Sequence, residues 1–418
     1  MDWVILMGGN VLILASVSEF IDKFEMNNAS ILQSKGYKVY YAANMNEHTY
    51  GHNQEEIDKL GVTCFHVEIA RSPFMVRQNY KALKQLERII RENNINLIHC
   101  HTPVGGVLGR MCVLCCNEIN IKVIYTAHGF HFYKGAPLIN NTCYRIVESV
   151  FARLTDTIVV INQEDYNSAN QLRLRRDGRA YKIPGIGLDL QRFKPLPRQK
   201  ITENRQKLGI TENDFLIISV GELNQNKNQI MVLRALEKMK QEGHRISDVK
   251  YVICGRGFYE EQFPQWINEK DLADRVSMLG YRKDIENVIG CADATIFPSK
   301  REGLGMAALE SLAMGIPVIA SDNRGTREYM SHKENGFVCN CESVDEFIEG
   351  IEFVYDLPND KREVMMKKCV DSVYPFRKSQ TDSIMDRVYT NVFREKEGNT
   401  AYEYERNKGE RCNGSVQS

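Results

Sequence analysis

The chain is predicted to fold as two doubly wound α/β domains, each a Rossmann-like parallel sheet, facing each other across a cleft. Three observations carry this expectation. Short apolar runs alternate with amphipathic stretches along most of the sequence, the pattern of strand–helix–strand crossovers. A segment dense in proline, glycine and charge divides the chain: Pro184-Gly185-Ile186-Gly187, then Lys194-Pro195-Leu196-Pro197. Its 418 residues suffice for two domains, three at most.

Composition narrows the class. Hydrophobic residues make up 43% and charged residues 26%, which excludes coiled coil, collagen and a wholly disordered chain. Lys+Arg and Asp+Glu each number 54, so the net charge is zero. A neutral chain is a poor general binder of nucleic acid, which demands an excess of cations. An anionic ligand must therefore be met by a local arrangement. Twelve cysteines form no disulfide framework. Cys112, Cys115 and Cys116 lie in the apolar run Val107–Cys116, and Cys339 and Cys341 flank a single Asn, too close for a CxxC metal pair. Buried reduced thiols imply a cytoplasmic protein.

The elements follow in order. Met1 to Val17 carries one charge, Asp2, but lacks a basic n-region and is interrupted by Gly8-Gly9-Asn10. Seventeen residues also fall short of the ~20 that a membrane span needs. The stretch reads as an extension followed by a buried strand, Val11–Ala15, with Met7 an alternative start to Met1. Strands Tyr37–Ala42, Leu97–Cys100, Lys122–Thr126 and Thr157–Val160 follow, with helical patterns at Glu19–Ser34 and Arg77–Arg91. Beyond the linker the strands are Phe215–Val220, Val249–Cys254, Val276–Leu279, Ala294–Phe297 and Pro317–Ala320. The domains are thus expected at 1–190 and 195–375. An amphipathic helix falls within 376–394, with Ile384, Val388 and Val392 about one turn apart, and residues 395–418 form a polar tail expected to be disordered. Ligands of such sheets bind beyond the carboxyl ends of the strands, so the cleft is the expected site.

The densest motif is Ser299-Lys300-Arg301-Glu302-Gly303-Leu304-Gly305-Met306-Ala307-Ala308-Leu309-Glu310, running on to Gly315-Ile316-Pro317. Gly303 and Gly305 open a helix, where the backbone can approach a phosphate and the free N–H groups and helix dipole stabilise its charge. Glu310 lies roughly 7–8 Å further along the helix axis, about the separation of a diphosphate from its ribose. Glu302 stays in the loop, on the sugar side. Alone, the spacing fits an ordinary βα turn with two solvated acids equally well. Three further strand ends add context. Gly221-Glu222-Leu223-Asn224-Gln225-Asn226-Lys227 is a glycine turn whose lysine, unless merely on the surface, reaches the same diphosphate. Gly255-Arg256-Gly257 and Gly280-Tyr281-Arg282 follow the next two strands, and the latter could pack against a base.

These residues resemble family 4 retaining glycosyltransferases of the GT-B fold, above all bacterial enzymes of exopolysaccharide and capsule assembly. The likeness rests on the E-x7-E spacing of Glu302 and Glu310, the Gly221–Lys227 turn, Cys254-Gly255-Arg256-Gly257 and Thr126-Ala127-His128-Gly129, and runs from about Val11 to Phe393. The resemblance implies a UDP-sugar donor bound by the second domain. Glu310 would hold the ribose, Lys227 the diphosphate, and the backbone around Gly305-Met306 the phosphate and sugar. Glu302 would bind hydroxyls of the transferred sugar, His128 would face that sugar from the first domain, and the last helix would cross back onto that domain. Two departures stand out: Glu222 occupies a place where many members have arginine, and the first loop, Ser16-Val17-Ser18-Glu19-Phe20, lacks paired glycines. Charge compensation then falls on Lys227 and the helix dipole, with Arg256 or Arg301 as further candidates.

No Asp-x-Asp pair occurs in the sequence. Such carboxylates commonly hold the cation of metal-dependent glycosyl transfer, so metal-independent chemistry without a cofactor is expected. Retention is implied by the resemblance, with a lipid-linked saccharide as acceptor. Arg77, Lys81, Lys84, Arg88 and Arg91 recur at intervals of four, three, four and three, on one helical face with Glu87 the only acid from Arg71 to Arg91. This stripe is either a solvated face or a docking face for anionic lipid headgroups, and Arg173, Arg175, Arg176 and Arg179 share the ambiguity. The expected location is therefore cytoplasmic, peripheral on the membrane in the second case. A UDP-sugar epimerase of the same architecture and a non-catalytic sugar-nucleotide-binding subunit are the alternatives. A dehydrogenase is disfavoured because no G-x-G-x-x-G follows the first strand.

Overall fold

The computed structural model describes residues 8–46, 54–244 and 246–393. The alternative start at Met7 and the expected disordered tail lie outside the described residues.

Two parallel sheets organise the chain. The first contains β1 (Gly9–Leu14), β2 (Tyr37–Ala43), β3 (Thr63–His66) and β4 (Ile95–His101). It continues with β5 (Lys122–Ala127), β6 (Thr157–Val160) and β7 (Arg179–Lys182), in the order β3-β2-β1-β4-β5-β6-β7. The second contains β8 (Phe215–Val220), β9 (Val249–Cys254) and β10 (Val276–Gly280). It adds β11 (Ala294–Phe297), β12 (Val318–Ser321) and β13 (Gly336–Cys339), in the order β10-β9-β8-β11-β12-β13. Strand order reverses between β1 and β4 and again between β8 and β11, and crevices at such switch points bind ligands.

The central strands are buried on both faces, which is why they read as near-continuous apolar runs. Three strands had no such run. β3 and β7 are half-solvated edges, and β13 is four residues long. The helices of the first half are α1 (Met26–Ser34), α2 (Gln54–Leu60), α3 (Val76–Glu92), α4 (Pro103–Cys115), α5 (Leu138–Ala152) and α6 (Gln163–Ala169). The predicted helix Glu19–Ser34 is broken: a π-helical turn, Ile21–Glu25, precedes α1 and turns the Glu25 side chain into the interior. After the linker come α7 (Arg198–Lys207), α8 (Ile230–Glu242), α9 (Phe263–Glu269), α10 (Ile285–Ile289), α11 (Met306–Ala313), α12 (Val344–Tyr355) and α13 (Asn359–Ser372).

The final helix, α14 (Lys378–Val392), packs against α1 and reaches the first sheet through Tyr389, which is bonded to His99 of β4. Leu188 bridges to Arg377, Lys35 pairs with Asp386 at 2.7 Å, and the ring of Phe393 stacks on Tyr37. The apolar core is continuous between the halves, joining Ile161, Ile183 and Leu188 to Phe297, Leu304 and Tyr329. The two switch-point crevices consequently open towards each other.

Candidate active site

The loop after β8 is shaped by Asn224, whose Oδ1 accepts from the backbone N–H groups of Asn226 (3.0 Å) and Lys227 (2.9 Å). Asn226 stitches this loop to the one after β11, donating through Nδ2 to the Arg301 carbonyl at 2.9 Å and accepting from Lys300 N–H at 2.8 Å. The two loops therefore hold Lys227 and Glu302 together, with Nζ 2.6 Å from Oε1. Behind them, Gly255 packs so closely that a Cβ would stand 1.8 Å from the Gly221 carbonyl oxygen, and its φ of +147° suits glycine alone. Gly257 backs onto Leu223 in the same way.

The first domain meets this edge directly. A Cβ on Gly303 would lie 2.1 Å from the His128 carbonyl oxygen, so only glycine allows the approach. The resulting cavity, of about 380 Å³, is lined from one side by Phe24, His128 and Ile161. From the other it is lined by Gly221, Glu222, Lys227, Glu302, Gly303 and Gly305-Met306 at the start of α11. Its volume suits a small-molecule ligand.

Not every expected residue reaches that cavity. Glu310 is half-buried further along α11, and burial pushes its carboxyl up to about 7 against the pull of Arg192. Tyr281 is exposed after β10, and Arg282 is engaged by Asp284, donating at 2.9 and 2.7 Å. Arg301 rests over the Tyr133 ring at 5.5 Å, and Arg256 lies 3.8 Å from Glu260. Glu222, in the place expected for a second cation, lines the cavity.

Four cations of the α3 stripe are engaged in ion pairs. Lys81 pairs with Glu68 at 2.7 Å, Lys84 with Glu87 at 2.9 Å, Arg88 with Glu92 at 2.7 Å, and Arg91 with Glu118. Glu68 and Glu118 come from outside the helix, which spacing along α3 could not reveal. Arg77 alone of the five has no ion pair among the described residues. Arg175 likewise bonds to Asp156 at 3.0 Å.

Two constellations escaped the sequence reading. Under His128 lies a buried polar chain: His128 Nε2 is 3.3 Å from His101 Nδ1, and His101 Nε2 is 3.4 Å from Glu25 Oε2. His99 sits beside it, bonded to Tyr389 (2.8 Å) and Thr126 (2.7 Å). Burial pushes Glu25 up to about 8 and draws His128 down to about 4 and His99 to about 3. The cluster is uncharged at neutral pH. Two histidines inside the apolar strand Ile98-His99-Cys100-His101 were the available signal. The second constellation joins the halves. Arg324 Nη1 donates to Asp165 Oδ1 at 2.7 Å and Nη2 to the Phe130 carbonyl at 2.7 Å, while Asn162 Nδ2 donates to the Gly303 carbonyl at 2.9 Å.

Comparison with known proteins places this geometry. Residues 200–369 match the family model described as glycosyl transferases group 1, and residues 10–162 match glycosyl transferase 4-like. The putative glycosyltransferase EpsD of Bacillus subtilis is 36% identical over 352 residues, 84% of this chain and 89% of that one. A UDP-Gal:alpha-D-GlcNAc-diphosphoundecaprenol alpha-1,3-galactosyltransferase of Escherichia coli is 26% identical, over 71% of this chain and 75% of that one. Among solved structures, Anabaena Alr3699/HepE in complex with UDP-glucose superposes with a TM-score of 0.72 at 17% identity. The match covers 92% of this chain and 100% of that one.

Proposed function

Because the chain is a GT-B glycosyltransferase of the family 4 type, we propose that it moves a sugar from a UDP-sugar to a polyprenyl-diphosphate-linked saccharide in surface-polysaccharide synthesis, with retention and without a metal. As a glycosyltransferase it is neither an epimerase nor a non-catalytic subunit. The carrying observation is the single cavity in which Lys227 and Glu302, at the mouth of α11, face His128. The E. coli relative's description supports the donor and acceptor classes, the UDP-glucose held by the Anabaena protein supports the donor class, and the relation to EpsD supports a role in exopolysaccharide synthesis.

In this reading the diphosphate lies at the N-terminus of α11, where free N–H groups and Lys227 meet charge as it develops on the leaving UDP. Glu310 accepts the ribose hydroxyls. Glu302 takes the hydroxyls of the transferred sugar, and its carboxylate stabilises the cationic anomeric centre. His128, kept neutral by burial, hydrogen-bonds the sugar from the opposite face. With Glu302 spent on these contacts, and Glu222, the other carboxylate lining the cavity, placed in the Gly221–Lys227 turn assigned to the diphosphate, neither is assigned as a nucleophile for double displacement. The acceptor hydroxyl therefore attacks from the face that UDP leaves, and the departing phosphate oxygen takes its proton.

The test is UDP release measured with a panel of UDP-sugars, a polyprenyl-diphosphate-linked N-acetylhexosamine acceptor and excess chelator. Acceptor-dependent release with one donor, insensitive to chelator and giving a product of unchanged anomeric configuration, is expected. Release that depends on added metal, an inverted product, or no release with any UDP-sugar overturns the proposal.

A further inference from the structure

An exposed apolar surface stands at the rim of the first domain, on the residues that open α3 and along α5. Leu138 and Ile139 at the start of α5 are 84% and 77% exposed, and Ile146 and Val150 continue the same stripe about two turns and three turns on. The one acid of this helix, Glu148, points inward and is bonded to Arg110 at 2.7 Å. The exposed charges, Arg145 and Arg153, are both basic. Across α4, which contacts both α3 and α5, the turn before α3 presents Phe74, Met75 and Val76, with Phe74 90% and Val76 69% exposed. Exposed Arg71 and Arg77 flank that turn. Among the described residues none of these four arginines is in an ion pair with a carboxylate.

Both patches share one side of the molecule. α3, α4 and α5 follow β3, β4 and β5 of a parallel sheet, so right-handed crossovers place all three on one face with their N-termini at the strands' carboxyl edge. That is the edge on which His128 lies. The start of α5 is tied to the cleft: Asn141 Oδ1 accepts from Tyr133 N–H at 2.9 Å, and Arg301, next to Glu302, rests on the Tyr133 ring. Among the described residues no helix is long and apolar enough to cross a membrane.

We propose that this surface, Phe74–Val76 together with the outer face of α5, docks the enzyme on an anionic lipid bilayer. Apolar side chains enter the headgroup boundary, Arg71, Arg77, Arg145 and Arg153 meet the phosphates, and the cleft mouth is turned towards the membrane. Solitary exposed apolar residues are ordinary, but two apolar patches on one face, flanked by four arginines outside any ion pair among the described residues, fit an anionic bilayer rather than an acidic or mixed protein surface. The surface shares only Arg77 with the α3 stripe, whose other four cations are taken up by Glu68, Glu87, Glu92 and Glu118. The inference deepens the lipid-linked acceptor reading and rests on it.

Flotation of the full chain with phosphatidylglycerol–phosphatidylcholine vesicles tests it. The parent is expected to float with anionic vesicles and not with phosphatidylcholine alone. I139E/I146E is expected to reduce the bound fraction at least about five-fold, with the thermal midpoint and the rate on a short-chain water-soluble acceptor unchanged. K81E/K84E, on the paired stripe, is expected to lower binding less than two-fold. Parent protein that stays at the bottom of the gradient, or I139E/I146E floating like the parent, overturns the docking surface. So does a parent dimer that I139E/I146E converts to monomer with no change in flotation, which assigns the face to a second copy of the chain. A parent that floats but transfers to no polyprenyl-linked acceptor keeps the docking surface and overturns the acceptor reading instead.

Discussion

Lys227 and Glu302, assigned to different parts of the donor, are bonded to each other: Nζ lies 2.6 Å from Oε1. A diphosphate reaching this ammonium must share it with a carboxylate. The two side chains should therefore separate binding from chemistry when changed singly. Partly exposed pairs contribute about 0.2–1 kcal/mol, so Glu302→Gln is expected to tighten UDP binding by up to about five-fold. The same change removes the carboxylate from the anomeric centre, and the transfer rate should fall by more than about ten-fold. Lys227→Ala removes a charge-assisted bond worth about 1.5–3 kcal/mol, weakening UDP by about 10- to 100-fold. Calorimetry with UDP and initial rates check both. A Glu302→Gln rate within a factor of about two of the parent removes Glu302 from the chemistry.

The buried chain beneath His128 makes stability depend on pH in two opposing ways. Glu25 ionises near 8 in the folded protein against an ordinary 4.5, so the folded state holds its proton more tightly. Its contribution is full below about 4.5 and is lost as pH rises to about 8. His128, drawn from 6.5 to about 4, behaves oppositely: its contribution is full above about 6.5 and is lost as pH falls towards 4. Glu25→Gln should therefore gain on the parent by a few kcal/mol between pH 5 and pH 8.5 while keeping the acid-side loss. Urea midpoints at the two pH values decide. Parallel profiles for variant and parent would remove Glu25 as the source.

Much of this architecture was legible because its strands are buried on both faces. β8 and β9 coincide with their apolar runs, and the glycines after β8, β9 and β11 sit where backbone meets backbone. What stayed hidden involves partners far apart in sequence. Arg324 and Asp165 are 159 residues apart, and each alone looks like a solvated charge. Glu25 reads as one polar residue on an amphipathic helix, and only the π-helical turn carries it to His101. For the same reason the α3 stripe looked unpaired, since two of its four carboxylates arrive from other elements.

Asp165 and Arg324 form a buried ion pair between the halves, with almost no exposed side chain on either partner. Burial lifts Asp165 to about 6, so the pair is intact at pH 7 and weakens as pH falls below 6. Asp165→Asn leaves the guanidinium uncompensated in the interior, and a loss of about 3–5 kcal/mol is expected. Replacing both partners, Asp165→Asn with Arg324→Met, should cost less than the single change because no unpaired charge remains. Thermal unfolding of the three proteins measures this. A double variant weaker than Asp165→Asn alone would mean that the pair is held by something other than charge compensation.

Glu25, His101 and His128 each offer one ligand atom within 4.8 Å of the others, a carboxylate and two imidazoles of the kind that bind Zn²⁺. The proposed transfer uses no metal, and a Zn²⁺ held there would occupy the histidine that faces the sugar. Metal should therefore act on this enzyme only as an inhibitor. Excess chelator is expected to leave the rate within about two-fold of the untreated protein, while Zn²⁺ slows it with one ion bound per chain. Glu25→Gln deletes the anionic ligand and should weaken that inhibition by about ten-fold or more, as losing a metal-site partner does. It should change the zinc-free rate little, because Glu25 lies behind His101 and is not among the residues that line the cavity. Rates across a zinc titration, with and without chelator, decide the matter. Loss of activity on chelation, restored by zinc, would reverse the assignment and make this cluster a metal centre of the reaction.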